Sequence, residues 1–114
     1  MPADTVYDIP VVVLVSTHTA SAAENFLVVA DPLDHFTLVG EPSFGSTGQP
    51  LFLDLPGGGR ARICTKRNTY PDGRDYVGPG VPVDVVVQPT AADFNTGRDV
   101  VLERGIQELR DRNK

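Results

Sequence analysis

Pro10-Val-Val-Val-Leu-Val15, then Ser16-Thr-His-Thr19, then Ala20-Ser-Ala-Ala-Glu-Asn-Phe-Leu-Val-Val-Ala30 is the stretch that decides the fold class of this 114-residue chain. A continuous apolar, β-branched run is the mark of a strand buried on both faces, as in a mostly parallel sheet. The polar break after Val15 ends that strand. From Ala20 to Ala30 the residues Ala22, Ala23, Phe26, Leu27 and Ala30 recur at helical spacing and predict the apolar face of a helix. Asp31-Pro32 closes it, because the residue before a proline is pushed out of helical geometry. Phe36-Thr-Leu-Val39 is a second short strand before Gly40. Strand, helix, strand is a βαβ unit when the two strands run parallel.

Downstream of this unit, residues 41–49 form a loop rich in small side chains. Leu51, Leu53 and Leu55 alternate, Pro56-Gly-Gly-Gly59 turns the chain, and Ala61, Ile63 and Thr65 alternate on the return, which predicts a β-hairpin. Residues 68–82 are turn-rich, with Pro71-Asp72-Gly73 a tight turn. Val83 to Val87 is a further strand. A last helix is expected from about Thr96, with Thr96 and Asp99 as its capping box. Its apolar face is Val101, Leu102, Gly105, Ile106 and Leu109, and its charged tail, Arg110 to Lys114, frays into water.

The length suits one small domain. A formal net charge of -5 argues against nucleic acid or an anionic membrane surface as a partner held by bulk charge. The basic knot Arg60, Arg62, Lys66 and Arg67 reads as a solvated strand face. With Cys64 as its single cysteine the chain has no internal disulfide, and Cys64 reads as a small buried hydrophobe. Two histidines and one cysteine at wide spacing make no zinc pattern. Pro56-Gly-Gly-Gly59 lacks the lysine and following helix of a phosphate loop. No metal and no cofactor are therefore expected. Val11–Val15 is far too short to span a bilayer, and Met1 to Pro10 lacks the pattern of a signal peptide. No insertion into a membrane is expected, and the compartment stays open.

Ser21 is the residue with the most chemistry in its position. It stands between a buried strand and the first turn of a helix, where backbone N–H groups lack partners inside the helix and carry partial positive charge. A serine hydroxyl there lies beside donors that can hold a developing oxyanion. Ala20, Ala22 and Ala23 are small enough to let a substrate carbonyl approach. By position alone Ser16, Thr17, Thr19 or Ser21 equally suits the role of helix cap. His18, three residues before Ser21, and His35, beyond the helix, are the histidines to weigh as a base, which must come within hydrogen-bond reach of the hydroxyl. Glu24, one turn after Ser21, is either a residue that orients the site or a first-turn acid favoured by the helix dipole.

Thr19-Ala-Ser-Ala-Ala-Glu24 resembles the S-A-S-A-x-E signature of S41 serine peptidases, the tail-specific (C-terminal-processing) and tricorn-like group. Val39-Gly-Glu-Pro-Ser-Phe-Gly45 resembles the family's V-G-E-x-T-F-G motif, and Gly80-Val-Pro-Val-Asp84-Val resembles its G-I-x-P-D-I segment. With the closing helix the resemblance runs from about residue 10 to 110. It implies an α/β, crotonase/Clp-protease-like β-β-α fold, here as a partial domain: residues 1–114 would be the C-terminal half of the catalytic domain. It implies Ser21 as nucleophile, the N–H of Ala22 as oxyanion donor, Glu24 as a candidate orienting residue, and a polypeptide as substrate.

Ser46 departs from that pattern. Tail-specific members have a lysine at this position as general base, and a serine cannot take up the nucleophile's proton as a neutral amine does. The tricorn-like branch instead takes a histidine from the half that precedes the nucleophile strand. The expectation is an incomplete fragment without its general base, inactive in isolation. The alternative is a non-catalytic binding or interaction module on the same fold. A half-domain is further expected to expose an apolar surface and to self-associate through it.

Overall fold

The computed structural model describes residues 7–112. In chain order its elements are β1 (Val11–Val15), α1 (Ala22–Ala30), β2 (Phe36–Gly40), β3 (Pro50–Asp54), β4 (Arg60–Cys64), β5 (Val85–Val86), α2 (Ala91–Thr96) and α3 (Val100–Arg112). β1 and β2 pair in parallel from Val11↔Phe36 to Val15↔Gly40, with α1 as the crossover, so the expected βαβ unit is present. β5 adds in parallel on the far side of β2, at Val39↔Val85 and Gly40↔Val86, and the sheet order is β1-β2-β5. The ladder beside β5 begins with Asp84, whose N–H donates to the Leu38 carbonyl while its carboxylate accepts the Leu38 N–H at 2.7 Å.

β2, not β1, is the strand enclosed on both faces: Thr37, Leu38 and Val39 are all buried. β1 is an edge strand among the described residues, and Leu14 remains 42% exposed. Composition alone cannot separate these cases, because an edge strand covered on its faces is as apolar as a central one. Val13 and Val15 point into the core with Leu27, Val28, Leu38, Tyr70, Tyr76 and Val81. Val12 and Leu14 point the other way, beneath α3. A Cβ on Gly105 would lie 2.8 Å from Leu14 Cδ2 and 3.2 Å from Val12 Cγ1, so the glycine allows α3 to lie close on β1.

α1 begins at Ala22 and buries Glu24, Leu27, Val28 and Ala30. Ala22, Ala23 and Phe26, assigned to the core face from their spacing, are exposed. Leu27 and Ala30 of the expected face are buried, and Glu24 and Val28 complete the inward side in place of Ala22, Ala23 and Phe26. The helix is rotated so that a charged residue goes inside, which hydropathy penalises unless its hydrogen bonds are known.

The hairpin stands as expected, β3 antiparallel to β4 with Leu51 opposite Ile63 and Leu53 opposite Ala61. At Pro71-Asp72-Gly73 the Gly73 N–H returns to the Tyr70 carbonyl at 2.9 Å, closing the predicted turn. The C-terminal region differs from the expectation, for it holds two helices. Thr90 is the N-cap of α2: its N–H donates to Asp93 Oδ2 at 2.8 Å and its hydroxyl accepts the Asp93 N–H at 3.3 Å. Gly97, left-handed at φ 69°, ends α2. Asp99 then accepts the Leu102 N–H at 2.9 Å and opens α3. Thr96 is the last residue of α2, its hydroxyl donating back to the Ala92 carbonyl at 2.8 Å. The same cap pattern occurs six residues earlier, and the glycine between the two helices makes both fit. Residues 113 and 114 of the expected fraying tail lie outside the described residues. Among the described residues no helix is long and apolar enough to cross a membrane.

Candidate active site

Ser21 lies beyond the C-terminal end of β1, immediately before α1. In open parallel sheets this end of the strands is where ligands bind. Its backbone adopts φ 59° and ψ -120°, a region that L-residues avoid. Such strain persists only where the surroundings over-determine it. Here the Ser21 N–H is held by two acceptors, the Ser46 carbonyl at 2.9 Å and Glu24 Oε2 at 2.9 Å. Ser21 is exposed. The Ala22 N–H, in the first turn of α1, has no acceptor among the described residues. An exposed hydroxyl therefore stands next to an unused donor at the positive end of a helix.

Glu24 holds this corner together. It is fully buried, and its two oxygens accept four hydrogen bonds. Oε1 accepts from Ser43 Oγ at 2.6 Å and from the Gly45 N–H at 2.6 Å. Oε2 accepts from the Ser21 N–H and from the Ser46 N–H at 3.0 Å. Four converging donors are what an acceptor-only carboxylate requires when it leaves water.

The loop that supplies these donors is itself locked. Gly45 has φ 78°, and a Cβ there would lie 2.7 Å from the Gly78 carbonyl oxygen. Gly80 has φ 82°, and a Cβ there would collide with the Ser43 carbonyl oxygen. Residues 43–46 thus meet residues 78–81 backbone to backbone, joined by Gly78 N–H to Gly45 carbonyl at 2.8 Å and Ser43 N–H to Val81 carbonyl at 3.1 Å.

The fold brings Ser21, Ala22, Glu24 and Ser46 to one corner. Ser46 enters through its main chain, accepting from Ser21 and donating to Glu24. His35 stands at the other end of the sheet, where its carbonyl accepts the Val11 N–H at 2.8 Å and its ring meets Phe36 edge-on with centroids 4.7 Å apart. A strand of five residues, about 13 Å at the usual rise, separates that end from the one beside Ser21. His18 lies in an exposed turn, its N–H on Ser16 Oγ at 3.2 Å. Asp72 pairs with Arg74 and Asp75 with Arg67, both at the surface. No group of three or more metal-ligating side chains occurs among the described residues.

Three neighbours of the site were not anticipated: Ser43, Asn25 and Tyr76. Tyr76 is 2% exposed and donates through its hydroxyl to Asn25 Oδ1 at 2.7 Å, on the first turn of α1. Burial pushes the Tyr76 hydroxyl above the usual tyrosine range. Ser43 lies within the Val39–Gly45 motif, but no local pattern gives the partners of these residues, which lie 19 to 51 positions away in the chain.

The sequence profile of peptidase family S41 matches residues 2–87. A carboxy-terminal-processing protease of Bartonella bacilliformis is 35% identical over 104 residues, covering 89% of this chain and 23% of that protein. A Parabacteroides merdae protein assigned to the peptidases superposes with a TM-score of 0.81 at 30% identity, covering 95% of this chain and 34% of that one. The photosystem II D1 C-terminal processing protease superposes with a TM-score of 0.57 at 32% identity, covering 70% of this chain and 21% of that one. Mature CPAF, solved with lactacystin, shares the fold at a TM-score of 0.71 and 23% identity. The chain thus spans about a fifth to a third of the length of these relatives.

Proposed function

The chain belongs to peptidase family S41, and on that premise we propose that it carries the nucleophile corner of a serine peptidase active site, with Ser21 as the nucleophile. Residues 1–114 are read as the C-terminal half of the catalytic domain. The observation that carries this reading is the strained, doubly held backbone of Ser21, which presents an exposed hydroxyl beside the free Ala22 N–H.

In this reading Ser21 Oγ attacks the carbonyl carbon of a polypeptide bond while its proton passes to a general base. The carbonyl oxygen becomes an oxyanion and takes the Ala22 N–H as one donor. The tetrahedral intermediate collapses, the C–N bond breaks, and the amine leaves with a proton returned by the base. Water then hydrolyses the acyl-serine ester by the same steps. Glu24 contacts no reacting atom and acts as a positioning residue. Ser46 stands where tail-specific members place lysine and offers no amine; in this reading the base is supplied from outside this chain. The chain in isolation is then expected to turn over peptides poorly, since loss of triad members leaves only ~10³–10⁴-fold acceleration over water.

Intact-mass analysis after treatment with a fluorophosphonate tests the reading, on this chain and on a longer polypeptide containing it, each beside its Ser21→Ala variant. The expected result is a Ser21-dependent adduct on the longer polypeptide and little on the chain alone. Equal labelling of the chain alone would place the base within it. No labelling of either would defeat the peptidase reading. Ser46 favours a second reading, a non-catalytic binding module, whose mark would be saturable peptide binding unchanged by Ser21→Ala.

A further inference from the structure

Ser43 is 6% exposed, and its hydroxyl is used in both directions. It donates to Glu24 Oε1 at 2.6 Å and accepts the Val81 N–H at 2.7 Å. Its own N–H donates to the Val81 carbonyl at 3.1 Å. Glu24 Oε2 in turn holds the N–H groups of Ser21 and Ser46. A continuous line of hydrogen bonds therefore runs from Val81 through Ser43 and Glu24 to the backbone of Ser21. The segment 76–81 also reaches the first turn of α1 separately, through Tyr76 and Asn25.

We propose that Ser43 is a positioning residue, through which the segment 76–81 sets the backbone conformation of Ser21. The proposal deepens the reading of Ser21 as nucleophile and rests on it for its functional meaning.

The physical case is the geometry of the carboxylate. Oε1 has two donors, the Ser43 hydroxyl and the Gly45 N–H, and together they fix the rotation of the carboxylate plane. With the Ser43 hydroxyl gone, Oε1 keeps one donor, and Oε2 loses the constraint that aims it at the Ser21 N–H. The Val81 N–H is left buried without an acceptor, which works against the close packing of 78–81 on 43–46. Ser21 at φ 59° is the strained member of the line, so slack introduced there is taken up by relaxation of Ser21.

Amide hydrogen exchange on the full chain, with the three-bond HN–Hα coupling of Ser21 as a direct report on φ, reads this without any need for activity. In Ser43→Ala the Ser21 amide should exchange at least about tenfold faster, the effect of losing one hydrogen bond to a charged group, and its coupling should shift. Leu27, Val28 and Leu38 should keep their protection. Ser43→Thr, which retains a hydroxyl, should restore Ser21. Should Ser43→Ala not fold, Ser43→Cys, a close isostere with a weaker donor, is read against Ser43→Thr in the same way. An unchanged Ser21 amide and coupling, or equal loss of protection throughout α1 and β2, would overturn the proposal. The exchange result stands whether or not Ser21 takes up a fluorophosphonate, so failure here and failure of the nucleophile reading are separable.

Discussion

Ser21 occupies its disfavoured conformation because two acceptors grip one N–H, and because Glu24 finds enough donors to be buried at the base of the grip. A glycine would reach φ 59° without the cost that Cβ imposes, of order 1 kcal/mol or more. Ser21→Gly should therefore stabilise the chain by about 1 kcal/mol, seen as a higher denaturation midpoint with an unchanged slope. Any fluorophosphonate labelling should vanish in the same variant. A lower midpoint would mean that the serine side chain contributes to stability and that the strain argument is wrong. This trade of stability against a reactive conformation is the usual pattern at active sites. Ser21 and Glu24 were legible as candidates because they stand just before and within the first turn of a helix and in a family signature. Ser43 stands in the Val39–Gly45 motif, but its role was not legible, because its partners come from α1 and from the segment before β5.

The elements show where pattern reading succeeds and where it slips. β1, β2 and the β3–β4 hairpin follow from β-branched runs, alternation and turn chemistry, all of which are local. The apolar side of α1 and the division between α2 and α3 do not, since each depends on which hydrogen bonds are made. α2 is six residues long and leans on its cap. The Thr90 hydroxyl first, and then its N–H, hold the Asp93 carboxyl below the usual carboxylate range. A group with a depressed pKa in the folded chain adds stability that is complete above its unfolded value, near 3.9, and is lost as pH falls through the folded value. α2 should accordingly fray below about pH 4, before β2 and α1 lose protection. Thr90→Ala should cost about 1 kcal/mol and flatten the pH dependence of that fraying, because the hydroxyl that lowers the Asp93 carboxyl is gone. Exchange of the Phe94 and Gly97 amides across a pH series measures both, and fraying that ignores the Thr90 substitution would refute the assignment of the cap.

For the molecule as a whole, the distribution of exposed apolar side chains is the main feature. Leu51, Leu53 and Ile63 lie on one face of the hairpin at 52%, 39% and 51% exposure, and Leu55 beyond β3 is at 47%. A two-stranded hairpin is marginal without a surface to pack on. Together with the edge of β1, this face should drive self-association of the chain. Sedimentation velocity should show a concentration-dependent rise in the weight-average coefficient, reduced by Leu53→Lys, and a strictly monomeric chain over the same range would contradict it. Reading the residues in order was enough to establish a parallel α/β fold, the hairpin, the family and the candidate nucleophile, because these reside in short-range periodicity, in turn chemistry and in motifs a few residues long. The exposure of β1, the inward turn of Glu24, the second C-terminal helix and the path through Ser43 came from the folded chain alone. Each depends on hydrogen bonds or packing between segments far apart in sequence, and burial of a charge becomes favourable only once its donors have been brought to it.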